Sequence, residues 1–310
     1  MKTKILGLDN GFKATKTSKK ISICSTIEKR FDDINDVIQV KINGENYVVG
    51  EPDGVYIADS DKLKTPENRE NLKVCTLTSI GLSYPTDTFI EVTLIVGLPV
   101  GFFSNQKEEF KKMMESLSET IYINKLGIEQ TIQVKQCLVF PQSAGLIFKK
   151  AKESDRIKKE SSLVIDVGGG TWDISQFNGL KLVKKATYPS GMLILHSQIA
   201  QDLNSNHYTK FKTSEIYDLL DRGFFTVEGE KKSMSEVDHI INAHVSDVIV
   251  NLTRDFEIGN VDNIFLIGGG AKEVKPFLDK RINNIEPEKN PQFINAECFE
   301  MMGKMKLGES

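Results

Sequence analysis

Two aspartates, Asp9 and Asp166, each end an apolar run and precede a glycine-bearing turn: "LGLDNGFKATK" (residues 6–16) and "LVIDVGGGTWDIS" (residues 163–175). Such turns present backbone N–H groups that no side chain shields, and a concave array of amide donors binds phosphate oxygens. A carboxylate at the strand end can hold a magnesium ion through its waters and offset the charge of a bound triphosphate. Either turn alone reads first as an ordinary hairpin. Two of them, with a third glycine run at Gly268, Gly269 and Gly270 before a helix, point to a phosphate-binding cleft built from a duplicated unit.

The elements that must carry these turns follow from periodicity. "KILGLD" and "FKATKT" read as strands joined at Asp9, Asn10 and Gly11, and "VIQVKI" and "ENYVVG" as a second hairpin turning at Asn43 and Gly44. "IEVTLIVGLP" reads as a buried strand ended by Pro99. A helix follows over "NQKEEFKKMMESLSE", capped by Ser104, with Phe110, Met113, Met114 and Leu117 on one face. "TIQVKQCLVF" is a strand leading into the helix "QSAGLIFKKAKE", and the turn-rich stretch from Glu51 to Lys73 reads as a loop, with a subunit-contact insertion as the alternative. After the second turn come "LKLVKKATY", a long packing helix "SEVDHIINAHVSDVIVNLTRDFEI", a buried strand "NIFLIGGGA", and a closing strand end with a short helix over "FINAECFEMMGKM".

The mixed-charge segment 149–160, "KKAKESDRIKKE", lacks apolar periodicity and reads as a solvated connector. It divides the chain into residues 1–150 plus 292–310 and residues 161–291. The 310 residues suffice for roughly two domains of about 150 residues each. With 40 Lys and Arg against 43 Asp and Glu, the chain offers no broad basic surface for nucleic acid. Four separated cysteines make neither a zinc site nor a disulfide framework, so a reducing cytoplasm is expected. His239 and His244 lie five apart, off the spacing that aligns two metal ligands on a helix. No apolar run approaches the length of a membrane span.

The order "LGLDNGFKATK", "FPQSAG", "LVIDVGGGTWDIS", "IFLIGGGAKEV" and "AECFEMMG" resembles the five signature segments of the actin, sugar kinase and heat-shock ATPase superfamily. Within it, "GLPVGFFSNQKEEFKK" and the ending "NPQFINAECFEMMG" are most similar to the bacterial actin-like ParM group of plasmid-segregation filaments. The resemblance implies an α/β actin-like ATPase fold in which two similar ribonuclease H-like domains flank a nucleotide cleft. It implies that Asp9 and Asp166 coordinate Mg2+ from opposite walls. Asn10, Gly11, Phe12 and Lys13 would meet the phosphates from one side, and Gly168, Gly169, Gly170 and Thr171 from the other.

By the same resemblance, Gln142 orients the attacking water, with a helix-start glutamine that satisfies backbone donors as the alternative. Gly268 to Gly270 let the backbone pass the ribose, the stem of Lys272 lies along adenine, and Glu215 and Gly191 line the same pocket. For Glu215 the default reading is a helix-surface residue, in a first turn where a carboxylate favours the dipole. The function implied is a cytoplasmic ATPase, with GTP also open, that polymerises with itself. A centromere-binding adaptor would link it to plasmid DNA, with no membrane partner. The competing reading is a small-molecule kinase of the same superfamily, which would need an acceptor pocket and a carboxylate base near Gln142.

Overall fold

The computed structural model describes residues 3–31, 36–54, 56 and 61–309. Among these, the first sheet holds nine strands. They are β1 (Lys4–Asn10), β2 (Ala14–Thr17), β3 (Ser22–Cys24), β4 (Ile27–Glu28), β5 (Ile38–Ile42), β6 (Glu45–Val49), β7 (Phe89–Leu98), β8 (Ser118–Ile123) and β9 (Ile128–Pro141). Their spatial order is β3-β2-β1-β7-β9-β8-β5-β6-β4. Strands β1, β7 and β9 run parallel at the centre. Every residue of β7 from Val92 to Leu98 is buried, as expected of a strand covered on both faces. The hairpin β5–β6 turns at Asn43 and Gly44, both with positive φ.

The helices of this half are α1 (Pro66–Ser83), α2 (Phe103–Glu115) and α3 (Ala144–Glu153). Helix α1 corrects the expectation of a loop from Glu51 to Lys73, part of which lies outside the described residues. Its buried residues run almost without a break from Asn71 to Gly81, so no polar face gives it a periodic pattern. A local signal is present all the same: Thr65 caps the Asn68 N–H and Pro66 opens the first turn. Helix α2 begins earlier than Ser104, because the Pro99 carbonyl accepts the N–H groups of Phe102 and Phe103. It also stops at Glu115, where alternation takes over and β8 buries Ile121 and Ile123.

The second half repeats the plan. Its sheet holds β10 (Ser161–Val167), β11 (Trp172–Asn178) and β12 (Lys181–Tyr188). A small separate ribbon, β13 (Phe224–Val227) and β14 (Glu230–Ser233), precedes β15 (Asn263–Ile267) and β16 (Ile285–Pro287). The sheet order β12-β11-β10-β15-β16 matches β3-β2-β1-β7-β9, an antiparallel meander followed by parallel strands. Helices α4 (Met192–His207), α5 (Ile216–Arg222), α6 (Asp238–Asp255) and α7 (Ala271–Leu278) belong to this half, and α8 (Ile294–Leu307) closes the chain.

Helix α8 is longer than the short closing helix expected, and the strand end expected at its start is not formed, since Ile294 and Asn295 already open the helix. Its Ile294 and Cys298 pack with α3 against the rear of the second sheet, while Phe299 and Met302 pack against Ile95 and Leu138 of the first. Helices α3 and α8 cross closely: a Cβ on Gly145 would sit 2.5 Å from that of Cys298. The connector also shortens, since α3 runs to Glu153 and a 3-10 turn covers Asp155–Lys158.

Candidate functional site

The carboxyl ends of β1 and β10 bring the two glycine-bearing turns into direct contact. A Cβ on Gly169 would lie 2.4 Å from the Lys13 Cβ, and one on Gly170 would lie 2.8 Å from the Phe12 ring. Glycine is therefore required where the turns meet. The second turn is closed by Gly168 N–H donating to Thr171 O at 2.8 Å. Its carbonyls at Gly168, Gly169 and Gly170 accept the N–H groups of Met192, Leu193 and Gly191, which are otherwise unmet at the start of α4. Among the described residues, the N–H groups of Phe12, Gly169 and Gly170 have no backbone acceptor.

A cavity of about 230 Å3 opens between the halves at this junction. Each acidic corner is held by one side-chain amide. Gln142 Nε2 donates to Asp9 Oδ1 at 3.0 Å, and Asn295 Nδ2 donates to Asp166 Oδ2 at 2.7 Å. Burial pushes the Asp166 carboxyl up to about 7, helped by the nearby Asp173 and Asp9 charges and opposed by the Asn295 bond. Asp173 is also raised by burial, against hydrogen bonds from Thr187 at 2.6 Å and Thr171 at 2.8 Å.

Buried carboxylates that form no ion pair among the described residues suit a divalent cation. Among the described residues no cluster of three or more His, Cys, Asp or Glu could cage a metal alone. Among the described residues, Asp9 and Asp166 each keep one oxygen free of protein donors, which fits Mg2+ held through water and completed by phosphates.

Of the residues singled out in the sequence, Asp9, Gly11, Phe12, Lys13, Gln142, Asp166, Gly168, Gly169, Thr171 and Gly268 to Gly270 line this cavity. Five do not. Asn10 turns its side chain to Thr76 of α1, at 3.1 Å. Gly170 and Gly191 pack behind the turn. Glu215 accepts the Lys212 N–H at 2.7 Å and Lys272 pairs with Asp221 at the surface, so neither reaches the cavity. Gln142 precedes a Ser143 held at φ 65° and does not begin the helix. Ser143 is fully buried there and bonded to Ser175 Oγ at 2.8 Å.

Sequence reading missed several lining residues: Lys16, Lys62, Asp173, Tyr217, Glu273 and Asn295. Asp173 had a readable signal, since it is the second acid of the same hairpin, beside Thr171. Lys16, Glu273 and Asn295 lie within the quoted segments, whereas Lys62 and Tyr217 come from segments outside them. Buried His196 links Lys13 Nζ, 3.4 Å from Nδ1, to Glu273 Oε2, 2.7 Å from Nε2. Burial lowers the Lys13 ammonium, while the Glu273 charge opposes that shift.

Two family models match in series, the actin-like proteins N-terminal domain over residues 7–145 and the archaeal actin homologue MreB-like C-terminal domain over residues 164–280. No curated protein sequence matches the chain. Solved structures agree over its full length. A 15-stranded ParM filament from Clostridium botulinum is 23% identical with a TM-score of 0.83, covering 98% of this chain and 100% of that one. The archaeal actin homolog Ta0583, in complex with ADP, is 16% identical with a TM-score of 0.80 over 98% and 100%. The apo psk41 ParM protein is 20% identical with a TM-score of 0.70 over 100% and 99%. At these identities the likeness fixes the fold: two sheet-based domains of the actin-like ATPase type.

Proposed function

This chain belongs to the actin-like proteins, and we propose that it is a nucleoside triphosphatase that polymerises with itself into filaments serving plasmid DNA segregation. The observation that carries the reading is the facing pair of amide-held carboxylates, Asp9–Gln142 and Asp166–Asn295, across two interlocked glycine turns. On this reading the domains comprise residues 1–150 plus 292–310 and residues 161–291. The work proceeds in the cytoplasm; among the described residues, no helix is long and apolar enough to cross a membrane.

ATP is the nucleotide proposed, with GTP the alternative. When bound, Mg2+ would screen the phosphate charge that the corner carboxylates face. The free amides of Phe12 and Gly169 and the Lys13 ammonium would hold the phosphates. Gln142 commits its Nε2 to Asp9, and among the described residues its Oε1 has no protein donor and can accept a hydrogen bond from the attacking water. An amide cannot remove a proton strongly, but hydrolysis through a loose transition state depends more on placing water than on deprotonating it. Slow turnover suits a filament, in which hydrolysis times disassembly.

Closure about α3 and α8 would change the outer surfaces and permit head-to-tail addition, a heterologous contact that extends without limit. DNA would be reached through a centromere-binding adaptor, since net charge −3 provides no basic surface of its own. Light scattering with Mg-ATP, Mg-ADP, Mg-GTP and a panel of sugars tests this. Scattering that rises with triphosphate alone is expected. ADP release that needs a sugar, without scattering, would mean a kinase instead.

A further inference from the structure

We propose that Lys62 binds the terminal phosphate of the nucleotide, and so distinguishes triphosphate from diphosphate; the assignment rests on the cavity being a nucleotide site. Lys62 lies in the short segment before α1, far in sequence from either glycine turn, yet its side chain is 2% exposed and lines the cavity. Its Nζ donates to the Asn10 carbonyl and lies 4.4 Å from the centre of the Phe12 ring. Among the described residues no carboxylate pairs with it.

An ammonium carries three donors, so two remain unspent in a nearly sealed site. Burying a cation without an anion is costly, and burial here lowers Lys62 to about 8 even though the Asp9 and Asp173 charges pull the other way. A lysine kept so deep is explained if an anion completes it. Lys13 differs, because its charge is answered by Glu273 through His196 and it lies 5.1 Å from the Tyr217 ring, among α4, α5 and α7. Lys62 instead lines the cavity within reach of the Asp9 and Asp173 charges, and those carboxylates are bonded to Gln142 and Thr171, where the attacking water and the last phosphate would meet. Loss of that phosphate would strip the segment leading into α1 of its anion, and so report the nucleotide state to the first domain.

The test is calorimetric titration of the full chain with Mg-ATP and with Mg-ADP, comparing wild type, Lys62→Met and Lys62→Gln. In both variants triphosphate affinity is expected to fall at least ~10-fold while diphosphate affinity changes less than ~2-fold, as loss of one charge-assisted contact requires. Thermal melting without nucleotide should be unchanged or higher, since a buried unpaired charge has been removed. Parallel loss of both nucleotides, or loss of neither, in a variant that melts as wild type overturns the assignment. A wild-type chain that binds neither nucleotide overturns the cavity reading itself, which separates the two failures. Should one variant not fold, the same comparison in the other decides.

Discussion

Asn295 donates to Asp166 Oδ2 at 2.7 Å, and its amide oxygen accepts the Ser143 N–H at 3.3 Å. One side chain at the start of α8 thus ties the second acidic corner to the residue that follows Gln142, whose own amide holds the first corner. The four residues form a buried bridge at the crossing of α3 and α8. Asn295→Ala leaves the Asp166 carboxylate without its donor, and should lower folding stability by about 1–3 kcal/mol in denaturant melts. An unchanged midpoint would show that the bridge is slack.

Removing the water-facing amide should separate chemistry from binding. Gln142→Ala is expected to slow phosphate release by ~10-fold or more while nucleotide affinity changes less than ~3-fold. Steady-state turnover within twofold of wild type would take Gln142 out of the reaction.

Steric contact between the turns makes a second separation possible. Gly169→Ala places a methyl 2.4 Å from the Lys13 Cβ, so the halves must part, with an expected cost of about 1–3 kcal/mol and a loss of nucleotide binding. Gly259→Ala, where a Cβ would meet nothing within 4 Å, is the control and should leave binding intact.

Asp166 predicts a pH dependence for the nucleotide-free protein. Its folded value, about 7, exceeds the unfolded one, so the native state holds a proton that the unfolded chain releases. The stability from this group is full below the unfolded value of 3.8 and is lost as pH rises through about 7. Melting at mildly alkaline pH should therefore gain from Asp166→Asn relative to melting near pH 5. Equal gains at both pH values would mean that Asp166 is already ionised at pH 5.

Surface geometry predicts silence at Lys272. Its ammonium pairs with Asp221 on an exposed face, where solvent screens the pair. Lys272→Ala should leave nucleotide affinity within ~3-fold; a tenfold loss would restore the adenine contact that the sequence suggested.

Much of the scaffold was legible because it is written locally. Two aspartate–glycine turns, the Asn43–Gly44 hairpin, the buried runs of β7 and β15 and the apolar stripe of α6 depend on residues within a few positions of one another, where periodicity and turn chemistry act. Helix α1 escaped because burial on several sides erases the polar face that betrays a helix, although Thr65 and Pro66 announced its start.

The cavity wall was decided only by tertiary structure. Asn295 and Lys62 reach it because α8 packs on both sheets and the segment before α1 brings Lys62 over Phe12. Glu215 and Lys272 show the converse, since local sequence could not reveal that each side chain finds a nearer partner. Backbone sterics and hydrophobic period act along the chain, whereas a buried charge is placed by whichever distant segment closes over it.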